Sequence, residues 1–253
     1  MSGTYLLADV PIRIESIYDE VQLMCADYRT DLKPEFTVIT SQADIEEEGR
    51  QSDEERAAEG LPEYHFEPAY LETLAVYRKI AQALLSRGVL LMHGSVIAVD
   101  GEGYMFTALS GTGKSTHVRL WRRLFGDRAV MVNDDKPLVR VEGRKEKGEG
   151  QEAEQRAWVY GTPWDGKHHL SNNIAVPLRA IIVLHRGADN EIHPITVQEA
   201  FPTLLQQSFR SVDPLTTIQS MQLLTQLSQR VGLYSLHCNM NPDAARVAYE
   251  GIA

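Results

Sequence analysis

Cysteine is nearly missing from this chain: the 253 residues hold only Cys25 and Cys238. So widely separated a pair offers neither the close spacing of a metal site nor a disulfide framework. Basic residues are also short, 25 Lys and Arg against 35 Asp and Glu, for a formal net charge of −10. A chain this acidic repels nucleic acid and anionic membrane unless it carries a local basic patch. The longest basic runs, Arg119-Leu120-Trp121-Arg122-Arg123 and Arg144-Lys145-Glu146-Lys147, read as a solvated helix face and a solvated loop. No apolar run reaches the length that crosses a bilayer, and the first residues lack a basic-then-apolar signal pattern. The expectation is a cytoplasmic protein with no nucleic-acid or membrane partner.

What is present is ordinary globular material, 43% apolar and 24% charged, enough for a real core. The length permits one large domain, or a main domain with a small partner. Residues 4–16 read as a strand, with weaker strand signals at Val21–Met24 and Phe36–Thr40. Residues 44–60 are acidic and poor in apolar anchors, and read as a flexible loop. Pro68 is placed to open a helix, which Gly88 closes. The expected organisation is a small β-rich region over 1–66, a connecting helix over 67–88, and a main α/β domain over 89–253.

Within the main domain, Asp100-Gly101 between two apolar runs predicts a hairpin, and hence a mixed sheet. His117, Leu120, Trp121, Leu124 and Phe125 fall on one face of a helix that Gly126 ends. Ala129–Val132 and Ala180–His185 read as buried strands. Residues 142–157 are charged and of low complexity. Asp213-Pro214 and Asn241-Pro242 mark helix starts.

The chemistry-bearing segment is Ser110-Gly111-Thr112-Gly113-Lys114-Ser115-Thr116, between an apolar strand and an amphipathic helix. Glycines here turn backbone N–H groups inward and let phosphate approach closely, and the helix aims its positive end at the same place. Lys114 can reach the β- and γ-phosphates of a nucleotide, and the Ser115 hydroxyl can serve Mg²⁺. Ala108 stands where the usual pattern has its first glycine.

Asp134 and Asp135 follow after one helix and one strand. A compact strand–helix–strand unit returns its second strand beside the first, bringing these carboxylates to the loop. Adjacent residues of an extended chain point to opposite sides. One carboxylate can therefore hold Mg²⁺ while the other faces a hydroxyl acceptor as general base. Ser115 with Asp135 is the candidate metal pair, and the sequence leaves open an exchange of roles between the aspartates.

His93-Gly94, the hairpin, Ser110 to Ser115 and Val132-Asn133-Asp134-Asp135 together resemble the C-terminal domain of HPr kinase/phosphorylase. More distantly, they resemble the ATP-dependent phosphoenolpyruvate carboxykinases. Gly161-Thr162-Pro163-Trp164, Val176-Pro177-Leu178 and Asn241-Pro242-Asp243-Ala244-Ala245 resemble short relatives, including kinases of lasso-peptide pathways. The resemblance spans about residues 89–185. It implies a mixed-sheet P-loop kinase core, ATP and Mg²⁺, and Asp134 or Asp135 as base. It would also place His93 near the phosphates, and the parent family's hexamers keep a homo-oligomer in view. In the region of HPr kinase's Glu-x-Arg-Gly this chain reads Trp158-Val159-Tyr160-Gly161; if Gly161 is the matching glycine, the acidic residue and the arginine are absent, and the resemblance does not carry HPr recognition or the reverse phosphorylase reaction with it.

The function expected is therefore transfer of the γ-phosphoryl group of ATP to a hydroxyl-bearing small molecule or peptide serine. The alternative is a nucleotide-binding switch with slow hydrolysis, and carboxykinase activity is a distant third. Trp164, Lys167 and His168 (with His169) compose a candidate acceptor lip or lid, hinged at Gly161 and Gly166.

Overall fold

The computed structural model describes residues 1–58, 60, 62, 64–141, 156–209, 211 and 213–252. The stretch read as low-complexity falls largely on 142–155, outside the described residues. The chain divides into two compact units, Met1–Ala83 and Leu84–Ala253. No helix among the described residues is long and apolar enough to cross a membrane.

In the first unit, β1 (Ser2–Leu7) and β2 (Val10–Glu15) form an antiparallel hairpin, so residues 4–16 are two strands and not one. The turn falls at Ala8 and Asp9, both with positive φ. The strand expected at Val21–Met24 is instead a short helix, α1 (Glu20–Met24). β3 (Phe36–Ile39) runs parallel to β2.

The acidic segment expected to be a loop is helical, as α2 (Gln42–Ala58). Arg50 pairs with Glu47 and Glu54 at the helical i,i+3 and i,i+4 spacings. The scarcity of apolar anchors is made good by carboxylates: the buried Glu48 takes both arms of the Arg78 guanidinium at 2.8 and 2.9 Å, and Asp44 pairs with Lys79 at 2.7 Å. Arg78 lies on α3 (Pro68–Leu85), the helix expected to connect, which clusters with the first unit through Ala83. The fully buried Glu72 of α3 accepts from the amides of Ile17 at 2.7 Å and Tyr18 at 2.8 Å and from the Thr40 hydroxyl. That set satisfies a charge that burial alone would penalise.

Among the described residues, the second unit carries a nine-stranded mixed sheet. Its elements are β4 (Val89–Leu91), β5 (Ser95–Val99), β6 (Glu102–Thr107), α4 (Lys114–Phe125), β7 (Ala129–Asn133), β8 (Leu138–Arg140), β9 (Trp158–Tyr160), β10 (Ala175–Arg186), β11 (Glu191–Pro194), α5 (Val197–Gln206), α6 (Pro214–Ser228), β12 (Gly232–Cys238) and α7 (Asp243–Ile252). The β5–β6 hairpin turns at Asp100 and Gly101, with φ of 52° and 84°, the double positive φ that such tight turns require. β10 lies parallel to β6 and to β12, whereas β5 is antiparallel to both β6 and β7.

The strand after α4 does not return beside β6. The hairpin partner β5 occupies that edge, and β7 adds outside it. β7 still runs in the direction of β6, so both end at the same edge of the sheet. α4 and α7 cover one face: Trp121 and Val118 of α4 and Ala245 and Ala248 of α7 pack with Phe106, Ile182 and Leu236 of the strands. Leu124, expected on the buried face of α4, is 46% exposed. Inside this core the Trp121 indole N–H donates to His117 Nε2 at 3.0 Å, and burial holds the His117 imidazole down at about 4.

Candidate functional site

The sheet edge where β6 and β7 end gathers the predicted residues. β6 runs into residues 108–113, and Gly111 and Gly113 there have φ of 73° and 121°. A Cβ at either position would meet no protein atom within 4 Å, so within the fold itself it is the backbone conformation that calls for glycine. Thr112 closes the turn, its hydroxyl donating to the Leu109 carbonyl at 2.8 Å. Lys114 starts α4 and reaches back across the loop, its ammonium 2.9 Å from the Ala108 carbonyl and 3.4 Å from that of Leu109. Burial pulls the Lys114 ammonium below its ordinary value, against the opposing pull of Asp135 and Asp134. Ser115 and Thr116 are half-buried in the first turn, and Ser110 is exposed.

Asp134 and Asp135 follow β7 directly. Asp134 is buried and accepts from the Ser95 hydroxyl at 2.8 Å. Asp135 faces His93, with Oδ1 3.2 Å from Nε2. Burial pushes the Asp135 carboxyl up. The hydrogen bond from His93 and the charges of Lys136, His93 and Lys114 overcome this and leave it below the usual carboxylate range. His93 is itself fixed through its backbone, which donates to the Gln207 carbonyl at 2.6 Å and accepts from the Thr107 hydroxyl at 2.9 Å.

The residue that shapes this corner is Asn133, fully buried at the end of β7. Its Oδ1 accepts from the amides of Asp135 at 2.8 Å and Lys136 at 2.7 Å, which sets the turn carrying both carboxylates. Its Nδ2 lies 3.1 Å from the Thr162 carbonyl and 3.0 Å from the Thr162 hydroxyl. The Trp164 carbonyl is 3.4 Å away. The carboxylate turn and the 162–164 segment are thus bound to one side chain.

A family model described as "ScmC: SynChlorMet cassette protein ScmC" matches residues 69–244, well over half of the chain and all of this corner. The chain belongs to the ScmC family. No curated protein matches it. Among solved structures, the Hpr(Ser) kinase/phosphatase from Coxiella burnetii is similar over 64% of this chain and 86% of that one, at 9% identity and a TM-score of 0.29. A likeness that slight fixes neither fold nor activity.

The ScmC-family chain also has a cavity of about 320 Å³ beside the carboxylates, lined by Ser115, Val118, Arg119, Arg122, Met131, Asp134, His168 and Leu170. Of the lip residues, His168 borders this cavity. Trp164 is buried, 5% exposed, with its carbonyl held by Asn133, and the Lys167 side chain lies outside the described residues. Gly161, expected as a hinge, is tightly enclosed: a Cβ there would stand 1.9 Å from the Asn172 carbonyl oxygen and 2.6 Å from that of Val132. Gly166 takes a left-handed backbone conformation that favours glycine, with φ of 71°, and lies against Asp135. Gly166, His168 and His169 are exposed, and the segment is steadied by the buried Asp165, which accepts from Ser171 and contacts His169 at 3.0 Å.

Sequence reasoning passed over three contributors. Arg186, at the end of β10, donates to the carbonyls of Gly111 at 2.5 Å and Thr112 at 3.3 Å and so braces the glycine loop. Ser95 fixes Asp134. Asn133 had a legible signal, since Asn before an Asp pair at a strand end is a ready side-chain-capped turn. Nothing local marked Arg186 or Ser95.

Proposed function

We propose that this chain is an ATP-dependent kinase that transfers the γ-phosphoryl group to a hydroxyl acceptor. The observation that carries the reading is the convergence at one sheet edge of the 110–116 loop, Lys114 at a helix start, and two differently held carboxylates. A loop with left-handed glycines ahead of a helix N-terminus offers N–H groups and a positive field to phosphate, and Lys114 adds a mobile charge for the β- and γ-phosphates. Asp134 borders the cavity and takes the role of base. The acceptor oxygen bonds to the γ-phosphorus, the bond from that phosphorus to the β–γ bridging oxygen breaks, and the acceptor's proton passes to Asp134. The products are ADP and a phosphate ester. His93 holds Asp135 in its ionised form.

Ser115 and Asp135 would hold Mg²⁺. Their hard oxygens suit it, and among the described residues there is no group of three or more His, Cys, Asp or Glu able to hold a metal. That donor set fits an ion carried by one or two protein oxygens and the nucleotide's phosphates. When bound, the ion supplies charge neutralisation for those phosphates.

The test is Mg-ATP turnover with and without a panel of hydroxyl acceptors, in wild type and variants. Lys114→Ala is expected to lose about a hundredfold, on the order of 3 kcal/mol, in transfer, with weakened nucleotide binding. Asp134→Asn is expected to keep Mg-ATP affinity while transfer falls by about 10²- to 10⁴-fold. Asp135→Asn is expected to make nucleotide binding depend more steeply on Mg²⁺. Wild-type affinity and rate in all three would refute the site. Slow hydrolysis that no acceptor stimulates would favour a nucleotide switch instead.

A further inference from the structure

Ser115, Arg119 and Arg122 stand at i, i+4 and i+7 of α4, one stripe of one helix face. That stripe lines the cavity that Asp134 borders. Several other arginines of this acidic chain are paired, among them Arg128 with Asp100, Arg156 with Glu102, and Arg246 with Asp243 and Glu250. Arg119 and Arg122 have no ion-pair partner among the described residues. The carboxylate that shares their cavity, Asp134, is already bonded to Ser95. Both arginines also border a second depression of about 500 Å³, together with Arg123, Asp127 and Ala129. The positive surface therefore continues along α4, away from the glycine loop.

We propose that this cavity is the acceptor site and selects a hydroxyl compound that carries an anionic group, carboxylate or phosphate, which Arg119 and Arg122 bind. The proposal rests on the kinase reading above and names the substrate class for it. Arginine offers a planar fork of donors matched to either anion. The helix rise places Arg119 about 6 Å and Arg122 about 10 Å along the axis from Ser115. Taking that rise as the scale of the site, the proposed anion lies on the order of 6–10 Å from the transferring phosphoryl group, and the hydroxyl reaches Asp134. Met131, Val118 and Leu170 supply the apolar wall between the two polar ends. In an extended peptide, at about 3.3 Å per residue, the same span puts an acidic side chain two or three positions from the serine. In a small molecule it puts the anion a few bonds from the hydroxyl.

The arms of the test separate those two sources. Wild-type protein is held with Mg²⁺ and a non-hydrolysable ATP analogue, so that the glycine loop is filled. It is titrated by calorimetry with glycerol 3-phosphate against glycerol, and with a serine peptide carrying aspartates two and three residues on against its alanine counterpart. Binding is expected from the charged member of at least one pair, and that pair identifies the source. Arg119→Gln with Arg122→Gln is expected to weaken this binding about 10- to 100-fold while the neutral member is unaffected. Arg119→Lys with Arg122→Lys is expected to restore part of it, and Arg122→Glu to turn the preference toward a lysine-bearing peptide. Charged titrants that bind no tighter than neutral ones, or bind the glutamine variant as well as wild type, would overturn the proposal. So would a loss of the ATP analogue's affinity in the glutamine variant as large as Lys114→Ala gives, because both arginines would then belong to the nucleotide. Failure of the kinase reading shows separately, as an analogue that does not bind wild-type protein or binds Lys114→Ala equally well.

Discussion

Asn133→Ala removes five polar contacts from one point of the fold: those to the amides of Asp135 and Lys136, to the carbonyl and hydroxyl of Thr162, and to the Trp164 carbonyl. Asp135 and Lys136 are half-buried, so water can replace part of what their amides lose, and each costs about 1 kcal/mol. Thr162 and Trp164 are buried and less easily rehydrated, which adds about 1–2 kcal/mol. The sum is about 3–4 kcal/mol. For a unit of this size that lowers Tm by roughly 6–16 °C. Asn133→Asp keeps an acceptor for the two amides but turns a carboxylate oxygen toward the carbonyls of Thr162 and Trp164, so its loss should be at least as large. Thermal denaturation followed by circular dichroism reads both variants. If Asn133→Ala melts within about 2 °C of wild type, the clasp is not holding this corner, and the account of how the carboxylates are fixed is wrong.

Arg186→Ala should leave Tm nearly unchanged, because the side chain is exposed, yet weaken Mg-ATP binding about five- to tenfold by releasing the carbonyls of Gly111 and Thr112. Calorimetry with the nucleotide decides it, and an unaltered affinity would remove Arg186 from the loop's support. His117 gives a pH dependence of definite sign. Its imidazole stays neutral in the fold down to about 4, whereas the unfolded chain takes up the proton near 6.5. Between those values the unfolded state binds more protons, so stability rises with pH, and about 3 kcal/mol is lost as pH falls through that window. The difference in urea midpoint between pH 7 and pH 4.5 should be smaller in His117→Gln than in wild type, and an equal difference in the two proteins would contradict this.

Much of the second unit was legible because its signals are local. The Asp100-Gly101 turn, the glycines at 111 and 113, the start of α6 at Asp213-Pro214 and the close of α4 at Gly126 depend on a few neighbouring residues, and each stands where expected. The Asp213 side chain caps α6 by accepting from the Thr216 amide at 2.7 Å. What stayed hidden depends on distant partners. α2 reads as a loop until Arg78, thirty residues on, takes Glu48. Arg119 and Arg122 do stand on an exposed helix face, as read, but that they share the lining of one cavity with Asp134 and His168 depends on segments far apart in the chain. The site behaved likewise. The phosphate loop announces itself, while its bracing by Arg186 and the union of Asn133 with Thr162 join segments that nothing in the sequence brings together.

The placement of β7 outside β5 has a bearing on how the protein reaches its native state. β5 and β6 are joined by a two-residue turn, and a hairpin of that kind closes within microseconds. β7 pairs with β5, on the side away from β6, and the chain must first span the whole of α4 to reach it. Asp134 and Asp135 are therefore expected to meet Ser95 and His93 after the faster, local hairpin has formed, so that the reactive corner matures later than the sheet centre beside it. Pulse-labelled hydrogen exchange during refolding would register that order as protection at Phe106 before Met131. Simultaneous or reversed protection would show that the two strands assemble by another route.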